Sequence, residues 1–311
     1  MILISRIGCL IPTYNAGLEF ERLVASLKIQ SIPLDVFVVD SSSSDDTANI
    51  ARAAGFDVVS IPQTDFDHGG TRQLRIDQCP GYDFFVLLTQ DVILASEHSI
   101  RDLVAYFQDE NVGAVCGRQL PHSYANRIAQ HARYFNYPEI VQIKSIEDVP
   151  SLGIKTAFMS NAFSAYRIQA LEEVGGFPSR TILSEDMFVA ARMLLNGWKL
   201  VYAGDACCYH SHNYSLFEEG RRYFDIGVFH ARARWIRERF GGAGGEGWRY
   251  VRSELRFLGL KDIMRWPEAL LRNGLKLLAY KLGQLERWLP RFIKRRWSLH
   301  RRYWDHIAEQ S

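Results

Sequence analysis

Through the first hundred residues, apolar strand-like runs alternate with helical segments, and two of the runs finish on or near a carboxylate. Ile7–Ile11 is a short apolar run ended by Pro12, and Leu18–Gln30 carries Leu18, Leu23 and Leu27 at helical spacing. Asp35–Asp40 reads DVFVVD, a buried strand that stops on an acid; Asp45–Ala54 is a helix that a Ser/Asp cluster caps. Asp57–Ile61 reads as strand, Gly70–Gln78 as helix, and Phe84–Leu88 as a strand closely followed by Asp91. Such alternation predicts an α/β fold with a doubly wound, mostly parallel, Rossmann-like sheet. Ligands of these sheets sit beyond the carboxyl ends of the strands, which is where Pro12–Asn15, Asp40–Asp46 and Thr89–Asp91 fall.

The middle of the chain, 113–215, is less regular. Gly113–Cys116 and Leu200–Tyr202 are strand-like, and Glu185–Asn196 is a helix closed by Gly197. GGAGGEG at Gly241–Gly247 reads as a linker, so residues 1–240 form one expected domain and 248–311 a helical appendage, interrupted at Pro267 and Pro290. The appendage is basic. Between Arg249 and Arg302 stand fifteen Lys/Arg against four acids, an excess of eleven that asks for an anionic partner or a solvated face.

Five cysteines, odd in number and without framework spacing, fit a reducing, cytosolic compartment. MILISRIGCLIPTYN runs as a strand into a turn, with no basic segment before a sustained apolar core, so no signal peptide is expected. No run of eighteen apolar residues exists to span a bilayer.

Several short segments carry chemistry, each with a plainer alternative. Asp40, followed by SSSSDDT, can accept from a pyrimidine N–H or a ribose hydroxyl, or belong to a capping cluster. FDHGGTR (Phe66–Arg72) suits close backbone approach to an anion, with Arg72 on a phosphate, or a tight turn with a surface arginine. Thr89-Gln90-Asp91 offers a carboxylate for a hard divalent cation, though a lone acid at a strand end is commonly just solvated. Glu185-Asp186 supplies a general base, or acids favoured by a helix dipole. His210-Ser211-His212 puts two imidazoles on one face of an extended segment, where both could reach a metal; a core hydrogen bond is the ordinary fate of one such His. Adjacent Cys207-Cys208 point to opposite faces and lack CxxC spacing, which argues against structural zinc.

In this order and spacing, IPTYNAG (Ile11–Gly17), VVDSSSSDDT (Val38–Thr47), FDHGGTR, LTQD (Leu88–Asp91), SEDM (Ser184–Met187) and HSHNYS with RRYFDIGVFH (His210–Ser215, Arg221–His230) resemble the family 2 glycosyltransferases with the GT-A fold, and within them the bacterial rhamnosyltransferases. The resemblance implies an inverting transfer of L-rhamnose from dTDP-β-L-rhamnose to a polyprenyl-linked saccharide in bacterial surface polysaccharide synthesis. It assigns Pro12, Thr13, Tyr14, Asn15, Asp40, Ser42, Asp45, His68, Gly69, Arg72 and Gln90 to the donor, with Asp40 on the base and Asp45 and Arg72 along ribose and diphosphate. Asp91, with His212 and His210, would hold a divalent metal, Mg2+ or Mn2+; Asp186 would be the base and Glu185 its neighbour at the acceptor. Thr89 stands where most members have the first acid of Asp-x-Asp, and Gln73 where Asn is usual; its longer amide would still reach a phosphate or ribose. The alternatives are another donor such as a UDP-hexose, or a non-catalytic sugar-nucleotide binder.

In the appendage Trp266, Leu270, Leu271, Leu275, Leu278 and Leu282 recur at near-helical spacing among Arg and Lys. That pattern suits an anionic membrane surface, placing the protein peripherally on the cytoplasmic face of the inner membrane; packing on the catalytic domain or on a second subunit is the other reading. No nucleic-acid module is recognisable, so nucleic acid is not an expected partner.

Overall fold

The structure is a computed structural model that describes residues 6–242 and 245–308; residues 1–5, and 243–244 of the expected linker, lie outside it. Nine strands run in chain order as β1 (Ile7–Thr13), β2 (Asp35–Asp40), β3 (Asp57–Ser60), β4 (Phe84–Leu88), β5 (Ile93–Leu94), β6 (Val112–Leu120), β7 (Gln142–Lys144), β8 (Phe163–Arg167) and β9 (Lys199–Tyr209). The helices of the first half are α1 (Gly17–Lys28), α2 (Thr47–Ala53), α3 (His68–Asp77), α4 (Ser99–Val104), α5 (Arg127–Asn136), α6 (Val149–Leu152) and α7 (Ile168–Glu173). Those of the second half are α8 (Glu185–Leu195), α9 (Leu216–Arg232), α10 (Arg234–Phe240), α11 (Glu246–Leu258), α12 (Trp266–Gln284), α13 (Arg291–Trp297) and α14 (Arg301–Ala308).

One sheet takes all nine strands in the order β3-β2-β1-β4-β8-β6-β9-β5, with β7 also on β9. Its first half is parallel, as the βα alternation requires. Beyond β4 antiparallel pairs enter, β4 with β8 and β8 with β6, where the chain has no regular strand–helix rhythm. Every residue of β4 is buried, and apolar clusters cover both sheet faces: Leu10, Leu87 and Leu200 on one, Ile11, Val86 and Val201 on the other. Pro12 is accommodated beyond the last β1–β4 pair, at Leu10, where its missing N–H interrupts no bond to β4.

The helices obey local rules. Asp45 accepts the N–H of Thr47 (3.1 Å) and of Gly17 (3.1 Å), so one carboxylate braces the starts of α1 and α2. Gly197, at φ +89°, follows α8 in the left-handed conformation that glycine supplies without steric cost. Helix α11 begins at Glu246, inside the expected linker, and Pro267 and Pro290 stand at helix starts, where a missing N–H costs nothing. All five cysteines are free thiols. Among the described residues no helix is long and apolar enough to cross a membrane.

The appendage packs on α9. A Cβ built on Gly227 would stand 2.2 Å from the Tyr280 carbonyl oxygen, and one on Gly283 2.1 Å from that of Phe224, so α9 and α12 cross with their backbones in contact. Apolar residues expected as a stripe therefore divide: Leu275 packs on Gly220, while Leu270, Leu271 and Leu278 face outward. Gly227→Val should lower the urea midpoint, at unchanged m, by the equivalent of about 1–3 kcal/mol; an unchanged midpoint would refute the close crossing.

Candidate active site

The carboxyl ends of β1, β2 and β4 form a floor of polar groups already held in place. Asp40 is buried, and its Oδ1 accepts from the Thr13 hydroxyl (3.1 Å) and the Ser43 hydroxyl (2.5 Å), its Oδ2 from the Ser43 N–H (2.9 Å). Asn15 (φ 45°) and Ser42 (φ 57°) both adopt the left-handed region, which L-residues enter at a cost and mostly at functional sites. Asn15 Oδ1 accepts the Ser44 N–H (2.8 Å), and the Ser42 hydroxyl donates to the Ile61 carbonyl (2.8 Å). Gln90 grips Tyr14 on both sides of its backbone, accepting from its N–H (2.7 Å) and donating to its carbonyl (3.2 Å). The amide of Thr-Gln-Asp thus binds the β1 and β4 loops together.

Asp91 meets both histidines. Its Oδ2 lies 3.3 Å from His210 Nε2 and 3.6 Å from His212 Nε2, and three potential ligand atoms of the trio fall within 4.8 Å of one another. Burial opposes charge on Asp91, but the His210 hydrogen bond and the field of the two rings hold the carboxyl well below the usual range. Burial, then His210, pushes His212 down to about 4, so its ring is neutral near pH 7 and keeps a lone pair. His210 is oriented from behind: its Nδ1 lies 2.8 Å from Gln119 Oε1, which also accepts from Arg133 (2.6 Å). An oxygen receiving the guanidinium must be an acceptor, so Nδ1 donates to it, and Nε2 is the nitrogen on the Asp91 side, the one a metal would take. One carboxylate and two imidazoles converging this way fit a divalent ion, Mn2+ better than Mg2+, whose preferred ligands are oxygens.

The same network reaches the expected base. Gln119 Nε2 donates to Ser160 Oγ (2.9 Å), and the Thr89 N–H reaches the Ala162 carbonyl (3.4 Å), so the metal-site loops flank the turn that holds Asn161. Asn161 is a buried hub. Its N–H donates to Asp186 Oδ2 (3.2 Å), its Nδ2 to Glu185 Oε1 (3.0 Å), and its Oδ1 accepts from Ser164 (3.0 Å) and Tyr166 (2.8 Å). Asp186 Oδ1 takes the Met187 N–H (2.7 Å), and Ser184 enters α8 at φ 60°, another strained L-residue. Burial and the adjacent Glu185 charge raise the Asp186 carboxyl; Glu185 itself is buried, but Arg72 lowers it. Two neighbouring carboxylates thus have their proton affinities pushed apart, the pattern that separates a base from a fixed charge.

FDHGGTR does another task than the one its composition suggests. Arg72 is buried, donating to the His68 carbonyl (2.6 Å) and to Glu185 Oε1 (3.0 Å), so its charge is committed to an ion pair rather than open to a diphosphate. Gly69 is small because a Cβ there would lie 2.0 Å from the Pro178 carbonyl oxygen, and Gly70 lets its N–H donate to Asp67 Oδ2 (2.7 Å) as a helix cap. His68 sits edge-on to both Phe66 and His300, ring centroids 5.0 Å apart in each case, and burial lowers its pKa. Gln73 accepts the Phe177 N–H (2.7 Å) instead of reaching a ligand. Asp45, also expected along the donor, has both oxygens on helix N-termini. Glu185, expected at the acceptor, is enclosed by Arg72 and Asn161. Gln119 and Asn161 carry no motif and escape a reading of the sequence, their one signal being a polar residue at the end of, or just outside, an apolar strand; Ser43 stands inside SSSSDDT but nothing there distinguishes it from its neighbours.

A family model described as "Glycosyltransferase like family 2" matches residues 5–237. The O-antigen chain rhamnosyltransferase RfbN of Salmonella typhimurium is 48% identical over 309 residues, 98% of each chain. The O-antigen chain rhamnosyltransferase WbaN of Salmonella anatum is 48% identical over 305 residues, 97% of this chain and 96% of that one. Among solved structures, mannosyltransferase PcManGT from Pyrobaculum calidifontis, in complex with GDP-Man and Mn2+, aligns with a TM-score of 0.56 at 18% identity, covering 98% of this chain and 86% of its own. TarS 1–349 of S. aureus, in complex with UDP-GlcNAc, gives 0.53 at 14% identity over 91% of both chains. At these identities the structural likeness is one of fold.

Proposed function

The chain belongs to glycosyltransferase-like family 2 and is a glycosyltransferase of GT-A fold, and we propose that it moves L-rhamnose from dTDP-β-L-rhamnose to a lipid-linked saccharide in O-antigen synthesis by one inverting displacement. The donor reading rests on two relatives, both named O-antigen chain rhamnosyltransferases, that are 48% identical essentially from end to end. The observation that carries the mechanism is Asp186: a carboxylate of raised proton affinity, aimed by two N–H groups and linked through Asn161 and Gln119 to the Asp91–His210–His212 cluster.

Asp186 takes the proton of an acceptor hydroxyl while that oxygen attacks the anomeric carbon and the bond from that carbon to the diphosphate oxygen breaks. No sugar–enzyme bond forms, so the anomeric configuration inverts. Asn161 and Met187 hold the carboxylate, and Glu185 supplies the charge that raises its basicity without itself reaching a substrate. Asp40 and Thr13 read the nucleobase, with Asn15 and Ser42 shaping the loop around it. Asp91, His210 and His212 would hold a divalent ion, which would supply charge neutralisation for the departing diphosphate.

The acceptor lipid brings the enzyme to the cytoplasmic face of a membrane. Outward-facing Trp248, Leu260, Met264, Leu271 and Leu278, set among Arg249, Arg252, Arg256 and Arg265, support an interfacial orientation on anionic lipid.

A panel of nucleotide sugars and nucleotides, each with Mn2+, tests the donor through thermal protection. At a hundred times Kd a donor adds about 2.7 kcal/mol to the stability of the folded state. dTDP-rhamnose and dTDP should protect and UDP-hexoses should not. Protection by UDP with none by dTDP would transfer the assignment to a UDP-sugar.

A further inference from the structure

Beside His212 lies a cavity of about 220 Å³, walled by α5, the start of α9, α11 and α12; none of the nucleotide-loop residues lines it. Four cations face it, and two are spoken for: Arg272 and Lys276 both pair with Glu219, at 3.1 and 2.9 Å. Arg133 and Arg222 make no ion pair within 4 Å among the described residues, although the more distant Asp186 charge reaches Arg222. Arg133 donates to Gln119 and lies 5.3 Å from the Tyr137 ring centre, and Arg222 lies 5.9 Å from that of Tyr214. Both guanidiniums line this one cavity, and their forks match phosphate oxygens. Tyr137, Tyr214 and Tyr250 add aromatic, hydroxyl-bearing surface to a wall that Ala129, Ala132 and Ile226 also form, and such rings are surfaces on which a sugar stacks while its hydroxyls find partners. Tyr250 comes from α11 and Lys276 from α12, the helices whose outer faces expose Trp248, Leu271 and Leu278.

We propose that this cavity is the acceptor's anion subsite, binding a sugar-linked phosphate or diphosphate of a lipid carrier between Arg222 and Arg133. The assignment rests on the glycosyltransferase reading above and adds to it the acceptor's charge and two residues that recognise it. The appendage thereby becomes part of the substrate site, since two of its helices complete the wall. The donor's own diphosphate is the other source of the same chemistry, and the test separates the two.

Full-length protein is titrated with farnesyl diphosphate as a short lipid-diphosphate probe, in the presence of saturating dTDP and Mn2+, with farnesol as control. Arg222 is the residue to change, because Arg133 also holds Gln119. The wild type should bind farnesyl diphosphate alongside dTDP and bind farnesol far more weakly. Arg222→Gln should weaken the probe by about tenfold or more, with Arg222→Lys between, while dTDP affinity and melting temperature stay as in the wild type. Displacement of the probe by dTDP, or an equal loss of dTDP affinity in Arg222→Gln, would hand the guanidiniums to the donor and overturn the proposal. So would a wild type that binds dTDP but no farnesyl diphosphate. A wild type that binds neither dTDP nor dTDP-rhamnose would instead remove the glycosyl-donor reading on which the subsite rests.

Discussion

Asp186→Asn is expected to cut turnover by roughly 10²- to 10⁴-fold, the usual worth of a positioned general base, while leaving donor affinity intact. The amide is nearly isosteric. Its oxygen can still accept one of the two N–H groups that hold the carboxylate, and removing a negative charge beside buried Glu185 relieves repulsion, so no loss of stability accompanies the loss of rate. A stopped assay of rhamnosyl transfer together with dTDP-rhamnose titration measures both halves. A variant retaining more than a tenth of wild-type turnover would end the role of Asp186 as base. The pH profile follows from the same environment. Burial and Glu185 raise the carboxyl, a raised base stays protonated to higher pH, and only the deprotonated form accepts the hydroxyl proton. The acid limb of kcat/KM in the wild type therefore falls above the ordinary carboxylate range and disappears in Asp186→Asn. A limb near pH 4 in the wild type would mean that another group accepts the proton.

Asp91→Ala should lower kcat/KM by about 100-fold or more and abolish the dependence of donor binding on added Mn2+, since the carboxylate is the one acid of its cluster and metal stabilisation of a leaving diphosphate is worth several kcal/mol. The variant removes the group both imidazoles face, at 3.3 and 3.6 Å, but leaves Asp40, Thr13 and Ser43 untouched. Nucleotide affinity in EDTA should thus equal that of the wild type, which distinguishes a lost ion site from a collapsed one. Full activity in Asp91→Ala, or unchanged activity of the wild type in EDTA, would mean that the diphosphate departs without an ion.

The strands were readable because they are short and strongly patterned. DVFVVD and FFVLL are β2 and β4 to the residue, with Asp40 closing the first and Asp91 just beyond the second. His210 and His212 were placed together by alternation along an extended segment, and both do face Asp91. Arg72 shows where such reading stops. Glycines beside an arginine look like a phosphate cradle from residue types alone, yet the partner of Arg72 is Glu185, 113 positions away, and no local pattern encodes that pairing. Asn161 and Gln119 are harder still, because an amide's value lies in where four hydrogen bonds end. The antiparallel half of the sheet was readable only in part: Gly113–Cys116 and Leu200–Tyr202 lie within β6 and β9, but β8 joins β4 through long-range pairing, without the short βα units that make the first half regular.

The glycine crossing of α9 and α12 bears on how this protein can be inherited or rebuilt. The family match stops at residue 237, but α9 lies inside it and presses its backbone on Tyr280 and Gly283, well outside. Neither Gly227 nor Gly283 can enlarge while the other helix stays where it is, so the crossing holds both positions to glycine. A chimera cut at the end of the family match, carrying another member's C-terminal helices, would bring together two surfaces that were never fitted. The exchangeable module begins before α9, and recombination between such enzymes should respect that earlier boundary.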